Sequence, residues 1–274
     1  MAASVAITAQ AELLYGVTFD NQLITFGSAT PSTLLSGSFI SGLGGGNIVG
    51  IDFRPATGVL YGLATNSNLY TINLTTGAAT LVGPLTAQLS GSNFGTNFNP
   101  VVDRLRIVSD IRQNLRVDPS SGATTVDPQI NYVDGTTTTP QVSAVAYTNH
   151  FPGATSTTLY GIDAFNNSLV SFDNPNLGSI RLVGPLGFNS PGLAALTISG
   201  ASGTTFASIQ PNGVSGSSLY TINLATGQAT SVGDIGPGGA VLQLRGLTVA
   251  AVPEPASFAV LGIGLAAFLR RKRK

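Results

Sequence analysis

The stretch VGIDFRPATGVLYGLATNSNLYTINLTTGAATLVG (49–83) decides the fold of this chain. It contains four short apolar segments, and polar or glycine-containing residues of the kind that form tight turns separate each segment from the next. The second and third segments, VLYG (59–62) and LYTI (69–72), are joined by TNSN (65–68), which suits a hairpin. The stretch therefore predicts four antiparallel strands in a row, which we call strands a, b, c and d.

The same unit recurs along the chain. Copies of the strand-c pattern begin at Leu23, Leu69, Leu115, Leu169 and Leu219. Successive copies are 46, 46, 54 and 50 residues apart. The strand-b pattern, x-L-Y-G, recurs at 13–16, 59–62 and 158–161 and, as the degenerate RLRI, at 104–107. A four-stranded unit of this length is typical of a β-propeller blade, so the spacing predicts five blades.

The first copy begins at its strand b, ELLYG (12–16), without a strand a before it. The segment LRGLTVA (244–250) supplies an apolar strand that could pair beside residues 12–17 and close the ring, which leaves no unprotected sheet edge. We therefore expect an all-β, five-bladed β-propeller over residues 12–250. A β-sandwich with irregular repeats and a β-helix are the alternatives, but a β-helix needs a shorter period and a sandwich does not explain the near-constant spacing.

The composition excludes several functional classes. The 274 residues include no cysteine and a single histidine, which excludes disulfides, thiolate metal sites and sites with several histidine ligands. We expect no metal and no cofactor. Residues 1–250 carry eleven acidic residues and seven arginines, a net charge of −4, so this body lacks the basic face that a nucleic-acid partner requires.

The C-terminal segment VPEPASFAVLGIGLAAFLRRKRK (252–274) has three parts. Pro253, Glu254 and Pro255 precede an apolar run at 256–269. The last part is a basic cluster, Arg270, Arg271, Lys272, Arg273 and Lys274. As a helix, the fourteen apolar residues would reach about 21 Å, which is short of the roughly 30 Å hydrocarbon core of a bilayer. A buried C-terminal helix is the alternative, but five consecutive cations do not suit a globular core.

This order of parts closely resembles the PEP-CTERM sorting signal of Gram-negative bacteria. The resemblance implies an exosortase-type processing protease as a partner, removal of the tail, and a producer that makes extracellular polysaccharide. We accordingly expect an exported protein that a short membrane helix (256–269) holds transiently in the inner membrane, with its basic end inside. Cleavage near Pro253-Glu254-Pro255 would then release the body to the cell surface or the extracellular matrix.

Residues 1–11, MAASVAITAQA, are either the remnant of a signal peptide or a flexible N-terminus. They include no basic residue, and only about eight of them could form the apolar core of a signal peptide. Ala9-Gln10-Ala11 fits the small-x-small pattern of a cleavage site. The C-terminal signal requires export and so favours the signal-peptide interpretation.

The body resembles the bacterial family of the domain of unknown function 4394. The residues that carry this resemblance are GIDFRPATGVLYGL (50–63), FGTNFNPVVDRLRIVSDIRQNLRVDPSSG (94–122) and AVAYTNHFPGATSTTLYGID (144–163). The match spans about residues 13–249. It implies β-propeller-like repeats and a secreted setting, and it implies no activity.

Blade three differs from the other blades. It has Arg106 and Arg116 where other blades have tyrosines such as Tyr61 and Tyr70. The segment 103–118 holds four of the seven arginines of the body and three aspartates. One interpretation is an anionic-ligand site, because guanidinium groups offer a planar fork to carboxylate or sulfate groups. The other is an Arg–Asp network that packs the blade against its neighbour, which the similar numbers of arginines and aspartates favour.

Candidate ligand-binding residues follow from analogy with other propellers, which bind ligands near the central channel on the face formed by the d–a and b–c loops. Asp110 and Arg112 belong to the b–c loop of blade three. Tyr132 and Asp134 belong to the long d–a loop at 127–140. We expect these four residues to take part in binding.

We predict no catalytic residue. His150 lies in the insertion YTNHFPGATSTT (147–158), and the chain has no G-x-S-x-G motif to supply a nucleophile, so we expect a loop histidine without a role. The polar residues that open the c–d turns are interpreted as turn formers rather than calcium ligands. They are Asn73, Asp118, Asp173 and Asn223.

Two functional hypotheses follow. The first is a non-catalytic propeller that binds or organises extracellular matrix, with an extracellular polysaccharide as its partner. The alternative is a secreted polysaccharide hydrolase or lyase that uses carboxylates at the mouth of the channel. Two close carboxylates with raised pKa values there would favour the enzyme.

Overall fold

The computed structural model describes residues 11–190, 192–237 and 242–250. In these ranges the strands form five sheets, which confirms the predicted all-β, five-bladed arrangement. In chain order the strands are β1 (Leu13–Thr18), β2 (Gln22–Gly27), β3 (Thr30–Phe39), β4 (Ile48–Arg54), β5 (Val59–Ala64), β6 (Asn68–Ile72), β7 (Ala79–Pro84), β8 (Phe94–Asn99), β9 (Arg104–Ser109), β10 (Asn114–Val117), β11 (Thr124–Val126), β12 (Asn131–Tyr132), β13 (Val142–Tyr147), β14 (Leu159–Asp163), β15 (Ser168–Asn174), β16 (Ser179–Pro185), β17 (Ala194–Ile198), β18 (Thr205–Ile209), β19 (Ser218–Ile222), β20 (Ala229–Asp234) and β21 (Leu244–Val249).

Each sheet is one blade with its strands in the order a, b, c, d. The five blades are β21-β1-β2-β3, β4-β5-β6-β7, β8-β9-β10-β11, β13-β14-β15-β16 and β17-β18-β19-β20. In blade one, β21 pairs antiparallel with β1, with Leu14 opposite Val249 and Gly16 opposite Leu247. In blade four, a short 3-10 helix (Pro175–Leu177) connects β15 to β16.

Blade four has a fifth strand, where the sequence predicts a loop. β12, which comprises Asn131 and Tyr132, pairs in parallel with β16 at the outer edge of this blade. The backbone N–H of Asn131 donates to Gly178, and that of Val133 donates to Ile180. The chain between blades three and four therefore runs along the outside of blade four before it turns inward to β13.

The inner strands lie side by side around the axis in the order β21, β4, β8, β13, β17 and back to β21. Each inner strand has a small residue at the equivalent position. These residues are Gly50, Gly95, Ala144, Ala195 and Gly246. A Cβ atom added to Gly95 would lie 2.7 Å from the backbone nitrogen of Val145, so this approach requires glycine. The cavity between the inner strands measures only about 10 Å³, so the axis is filled at this level.

Neighbouring blades share the hydrophobic core. Between blades one and two, the ring of Tyr15 packs edge-on against Phe53 with centroids 5.1 Å apart. Between blades two and three, Tyr61 packs edge-on against Phe98 at the same separation. In both cases a tyrosine of strand b contacts the aromatic residue next to the last residue of the neighbouring inner strand, so the repeated Y-G pattern holds adjacent blades together.

Two predicted segments lie outside the described residues. They are residues 1–10, which hold most of the predicted signal-peptide remnant, and residues 251–274, which hold the predicted sorting motif, membrane helix and basic cluster. No helix in the described part of the chain has the length and hydropathy that a bilayer crossing needs.

Candidate functional site

A ring of polar side chains, interrupted at blade four, links the inner strands near their C-terminal ends. The linking position is the same in each inner strand and holds Asp52, Asn97, Thr197 and Thr248, with Ala146 in blade four. The side-chain oxygen of Asn97 accepts from the backbone N–H of Tyr147 at 2.8 Å. Thr197 accepts from Val249 in the same way at 3.3 Å. These bonds satisfy buried backbone groups between neighbouring blades.

Asp52 is the member of this ring with three hydrogen-bond partners, and it is 2% exposed. One carboxylate oxygen accepts from the backbone N–H of Phe98 at 2.7 Å and lies 3.1 Å from Nε2 of His150. The other accepts from the hydroxyl of Thr248 at 2.8 Å. The insertion folds back and buries the imidazole of His150 against the inner strands, and the expectation that this histidine has no catalytic role stays a prediction.

A cavity opens at the opposite end of the axis, and we call it the axial pocket. It is a cavity of about 350 Å³ between the N-terminal ends of the inner strands and the adjoining b–c and d–a loops. Its lining includes Phe19, Ser92, Asn93, Phe94 and Arg245. Aromatic, amide and hydroxyl groups thus meet on the face where propellers commonly bind ligands.

Arg245 is the charged group of the axial pocket. Its guanidinium carbon lies 3.9 Å from the ring centroid of Phe19, a cation–π contact. Burial lowers the pKa of Arg245. Within the described ranges no carboxylate forms a salt bridge with this side chain. The group therefore presents a positive charge against an aromatic face at the mouth of the propeller.

Of the four predicted ligand-binding residues, Asp110 lies beside the axial pocket. Its carboxylate accepts from the backbone N–H groups of Ser92 and Asn93, at 3.0 and 3.1 Å, and from the side-chain amide of Asn93 at 3.1 Å. Ser92 and Asn93 line the pocket, whereas Asp110 does not. Asp110 therefore holds the loop that shapes the pocket.

The other three predicted residues do not converge with Asp110. Arg112 donates to the side chain of Asn131 at 2.8 Å. The hydroxyl of Tyr132 donates to Asp163 at 2.7 Å, and burial together with that carboxylate raises the pKa of Tyr132. Asp134 accepts from the backbone N–H of Leu182 at 2.7 Å, and this bond lowers the pKa of Asp134.

Tyr132 and Asp134 belong to the segment that runs along the outer edge of blade four, away from the axis. The sequence could not indicate this, because a two-residue strand has no alternating pattern. Ligand binding by the four residues remains a prediction.

A second cavity, of about 360 Å³, lies between blades three and four, and we call it the arginine cleft. Arg104, Arg106 and Arg116 line it on the side of blade three. Tyr147 and Asn176 line it on the side of blade four. The two cavities have no lining residue in common.

The arginines of the cleft form an ion-pair network. Asp127 accepts from Arg106 at 2.6 Å and, through both oxygens, from Arg116 at 2.7 and 2.9 Å. Arg104 pairs with Asp118 at 3.2 Å. Burial alone would raise the pKa of Asp127, but the bonds from Arg116 and Arg106 outweigh it and the pKa is lowered. The predicted Arg–Asp network is therefore present.

The c–d turns behave as predicted at three of the four positions. The side-chain oxygens of Asn73, Asp118 and Asn223 accept from backbone N–H groups two residues further along, at 2.9, 2.8 and 2.9 Å. Asp173 instead pairs with Arg181. Among the residues that the structure describes, no three His, Asp or Glu side chains converge in a way that could hold a metal ion.

Comparisons with known proteins agree with the architecture. A family model described as a domain of unknown function (DUF4394) matches residues 22–248, and one described as a PEP-CTERM protein-sorting motif matches residues 251–274. A solved structure described as a nidogen/laminin complex is 14% identical, covers 88% of this chain and 98% of its own, and has a TM-score of 0.51.

A structural-genomics protein of unknown function from Bacteroides thetaiotaomicron is also similar. It is 12% identical, the match covers 89% of this chain and 68% of that protein, and the TM-score is 0.52. At these identities the likeness to both structures concerns the fold alone. No curated protein matches the chain.

Proposed function

The chain belongs to the DUF4394 family and ends in a PEP-CTERM motif, which implies an exported protein that exosortase processes, and on this basis we propose a non-catalytic binding role for its propeller body. The body acts at the cell surface or in the extracellular matrix, and its ligand is an extracellular polysaccharide. Residues 12–250 form the binding domain in this proposal, and residues 251–274 deliver it.

The observation that carries the proposal is the axial pocket. Its volume of about 350 Å³ falls at the lower end of the range for small-molecule sites. Phe19, which is exposed, offers an aromatic face to the C–H side of a sugar ring, while Asn93 and Ser92 offer hydrogen-bonding groups to its hydroxyls. A pocket of this size accommodates one or two sugar units of a longer chain.

The alternative, a polysaccharide hydrolase or lyase, has less support. Glycoside hydrolysis uses two carboxyl groups that flank the scissile bond. Among the described residues that line the axial pocket, none is acidic. The pKa values of Asp118, Asp127 and Asp134 are lowered rather than raised, because these side chains accept hydrogen bonds as anions.

The tail completes the proposal. The apolar run at 256–269 anchors the chain in the inner membrane with its basic end inside, and cleavage near Pro253-Glu254-Pro255 releases the body. Mass spectrometry of surface protein from a native producer tests this step. We expect a C-terminus near residue 253, whereas a chain that still ends in Arg273-Lys274 would contradict processing.

The binding role is tested with the purified full chain and the extracellular polysaccharide of a producing strain. We expect binding without shortening of the polysaccharide, and loss of most of the binding in Phe19→Ala. Phe165→Ala is the matched control, because Phe165 is an exposed phenylalanine in the b–c loop of blade four and does not line the pocket. Depolymerisation, or equal binding by Phe19→Ala and the parent, would contradict the proposal.

A further inference from the structure

We propose that the arginine cleft is a second binding site and that its ligand is a carboxylate-bearing sugar, that is, a uronate. The inference begins with one change in the repeat. Blades one and two place Tyr15 and Tyr61 against the aromatic residue near the end of the neighbouring inner strand. Blade three places Arg106 at that position, where its neighbour across the boundary is Tyr147. The cavity of about 360 Å³ lies at this boundary.

Arg106 is held in the cleft as a charged group. It is 2% exposed, and its terminal nitrogens donate to Asp127 and Asn114, at 2.6 and 2.7 Å, and to Asn176 at 2.6 Å. Its Nε is buried and has no hydrogen-bond partner among the described residues. A buried donor without a partner is unusual in a folded protein, and a ligand group or a bound water that reaches Nε would satisfy it.

The charge of the cleft is unbalanced. Arg106 and Arg116 share a single carboxylate, Asp127, while Arg104 has a separate partner in Asp118. Three guanidinium groups and two carboxylates leave one positive charge in the cleft. Each oxygen of Asp127 already accepts from a guanidinium group, so this carboxylate is committed to the arginines that it pairs with. One negative charge on a ligand restores balance.

The walls of the cleft favour an organic acid over an inorganic ion. The volume far exceeds that of a sulfate or phosphate ion and lies in the range of small-molecule sites. Val102 and Pro175 provide apolar surface, and Asn99, Asn176 and Tyr147 provide polar groups. A sugar ring with one carboxylate matches this combination, because its hydroxyls suit the amides and its charge suits the guanidinium fork.

The test is a titration of the full chain with glucuronate, glucose and sulfate, followed by NMR or calorimetry. We expect glucuronate to bind, and glucose and sulfate to bind at least tenfold more weakly. Arg104→Gln combined with Arg116→Gln should weaken glucuronate binding tenfold or more, because hydrogen bonds to charged groups are lost. These side chains are 45% and 34% exposed, so their replacement spares the core.

Two further variants separate the site from general charge and from folding. Val102→Trp fills the cleft from an exposed position without a change in charge and should also abolish binding. Arg181→Gln removes an exposed, ion-paired arginine on β16 outside the cleft and should leave binding unchanged. Thermal unfolding of each variant verifies its fold.

The proposal fails if glucuronate does not bind, if sulfate binds and glucuronate does not, or if Val102→Trp binds as the parent does. It is independent of the axial pocket. Phe19→Ala should leave glucuronate binding at the cleft intact, so loss of polysaccharide binding in that variant and loss of glucuronate binding in the cleft variants are distinguishable results.

Discussion

The boundary between blades two and three differs from the boundary between blades three and four. At the first, Tyr61 packs edge-on against Phe98, and the contact is buried and apolar. At the second, the equivalent positions hold Arg106 and Tyr147, and a cavity lies beside them. The same repeat position therefore forms a packed joint in one place and a charged cleft in another.

The two boundaries differ in what their side chains contribute: aromatic packing contributes stability, whereas a buried arginine is suited to binding. Aromatic packing between blades gains free energy from buried area and edge-on geometry. A buried arginine must be paired, and replacing such pairs by apolar side chains is often neutral or stabilising. Arg106 does join the two blades through Asn176, but an apolar pair would join them as well, and the proposed ligand supplies a reason for a charged group at this position.

The largest expected effect comes from deletion of β21, the strand that completes blade one. β21 lies between β17 and β4 on the axis and pairs with β1. Deletion of residues 244–250 should open the ring and expose strand edges, so the chain should aggregate or lose cooperative unfolding. Calorimetry measures this. If the deletion variant unfolds at the temperature of the parent, the closure by this strand is wrong.

The next largest effect separates the two boundaries. Asp127→Ala leaves Arg106 buried without a carboxylate and should lower the free energy of unfolding by about 3–5 kcal/mol. Asp173→Ala, which removes the partner of exposed Arg181, should cost less than about 1 kcal/mol. Urea unfolding measures both. If both variants lose the same free energy of unfolding, the ion pairs of the cleft contribute no more to stability than an exposed pair does.

A smaller effect concerns the polar ring at the boundary of blades two and three. Asp52→Ala leaves the backbone N–H of Phe98 without its acceptor and should lower the free energy of unfolding by about 1–3 kcal/mol. Thr197→Val removes a longer bond, of 3.3 Å, and should have a smaller effect. Urea unfolding ranks the two variants, and the reverse order would contradict the role given to Asp52.

The smallest effect is the pH dependence of the cleft. Hydrogen bonds from Arg116 and Arg106 outweigh burial and hold the pKa of Asp127 below its unfolded value of about 3.9. Its contribution to stability is therefore complete well above that value and is lost as the pH falls through the folded-state pKa. The difference in unfolding free energy between the parent and Asp127→Asn should shrink between neutral pH and about pH 3. A difference that stays constant would contradict the lowered pKa.

Much of the fold follows from the repeat. The five copies of strand c predicted the blades, and the Y-G pattern of strand b predicted the elements that contact the next blade. The sequence does not predict the fifth strand of blade four, because a strand of two residues, Asn131 and Tyr132, is too short to show an alternation of apolar and polar residues. The burial of His150 was missed as well, since its partner Asp52 lies far away in the sequence.

The candidate sites were harder to predict. The sequence singled out Arg106 because a tyrosine is missing there, but it gave no sign that Tyr147 and Asn176 would complete a cavity. The axial pocket combines loops from several blades, and no single motif marks it. One signal was available: Asp52 interrupts an otherwise apolar inner strand, and the equivalent positions Asn97, Thr197 and Thr248 are polar too.

The most direct test of the account is a glucuronate titration of Arg106→Tyr beside the parent chain. This variant restores the tyrosine of the other blades and leaves Asp127 paired with Arg116. We predict that the variant stays folded, because Asp127 keeps its pair with Arg116, and that glucuronate binding is at least tenfold weaker. Unchanged glucuronate binding by a folded Arg106→Tyr variant would contradict the claim that blade three exchanges packing for a ligand site.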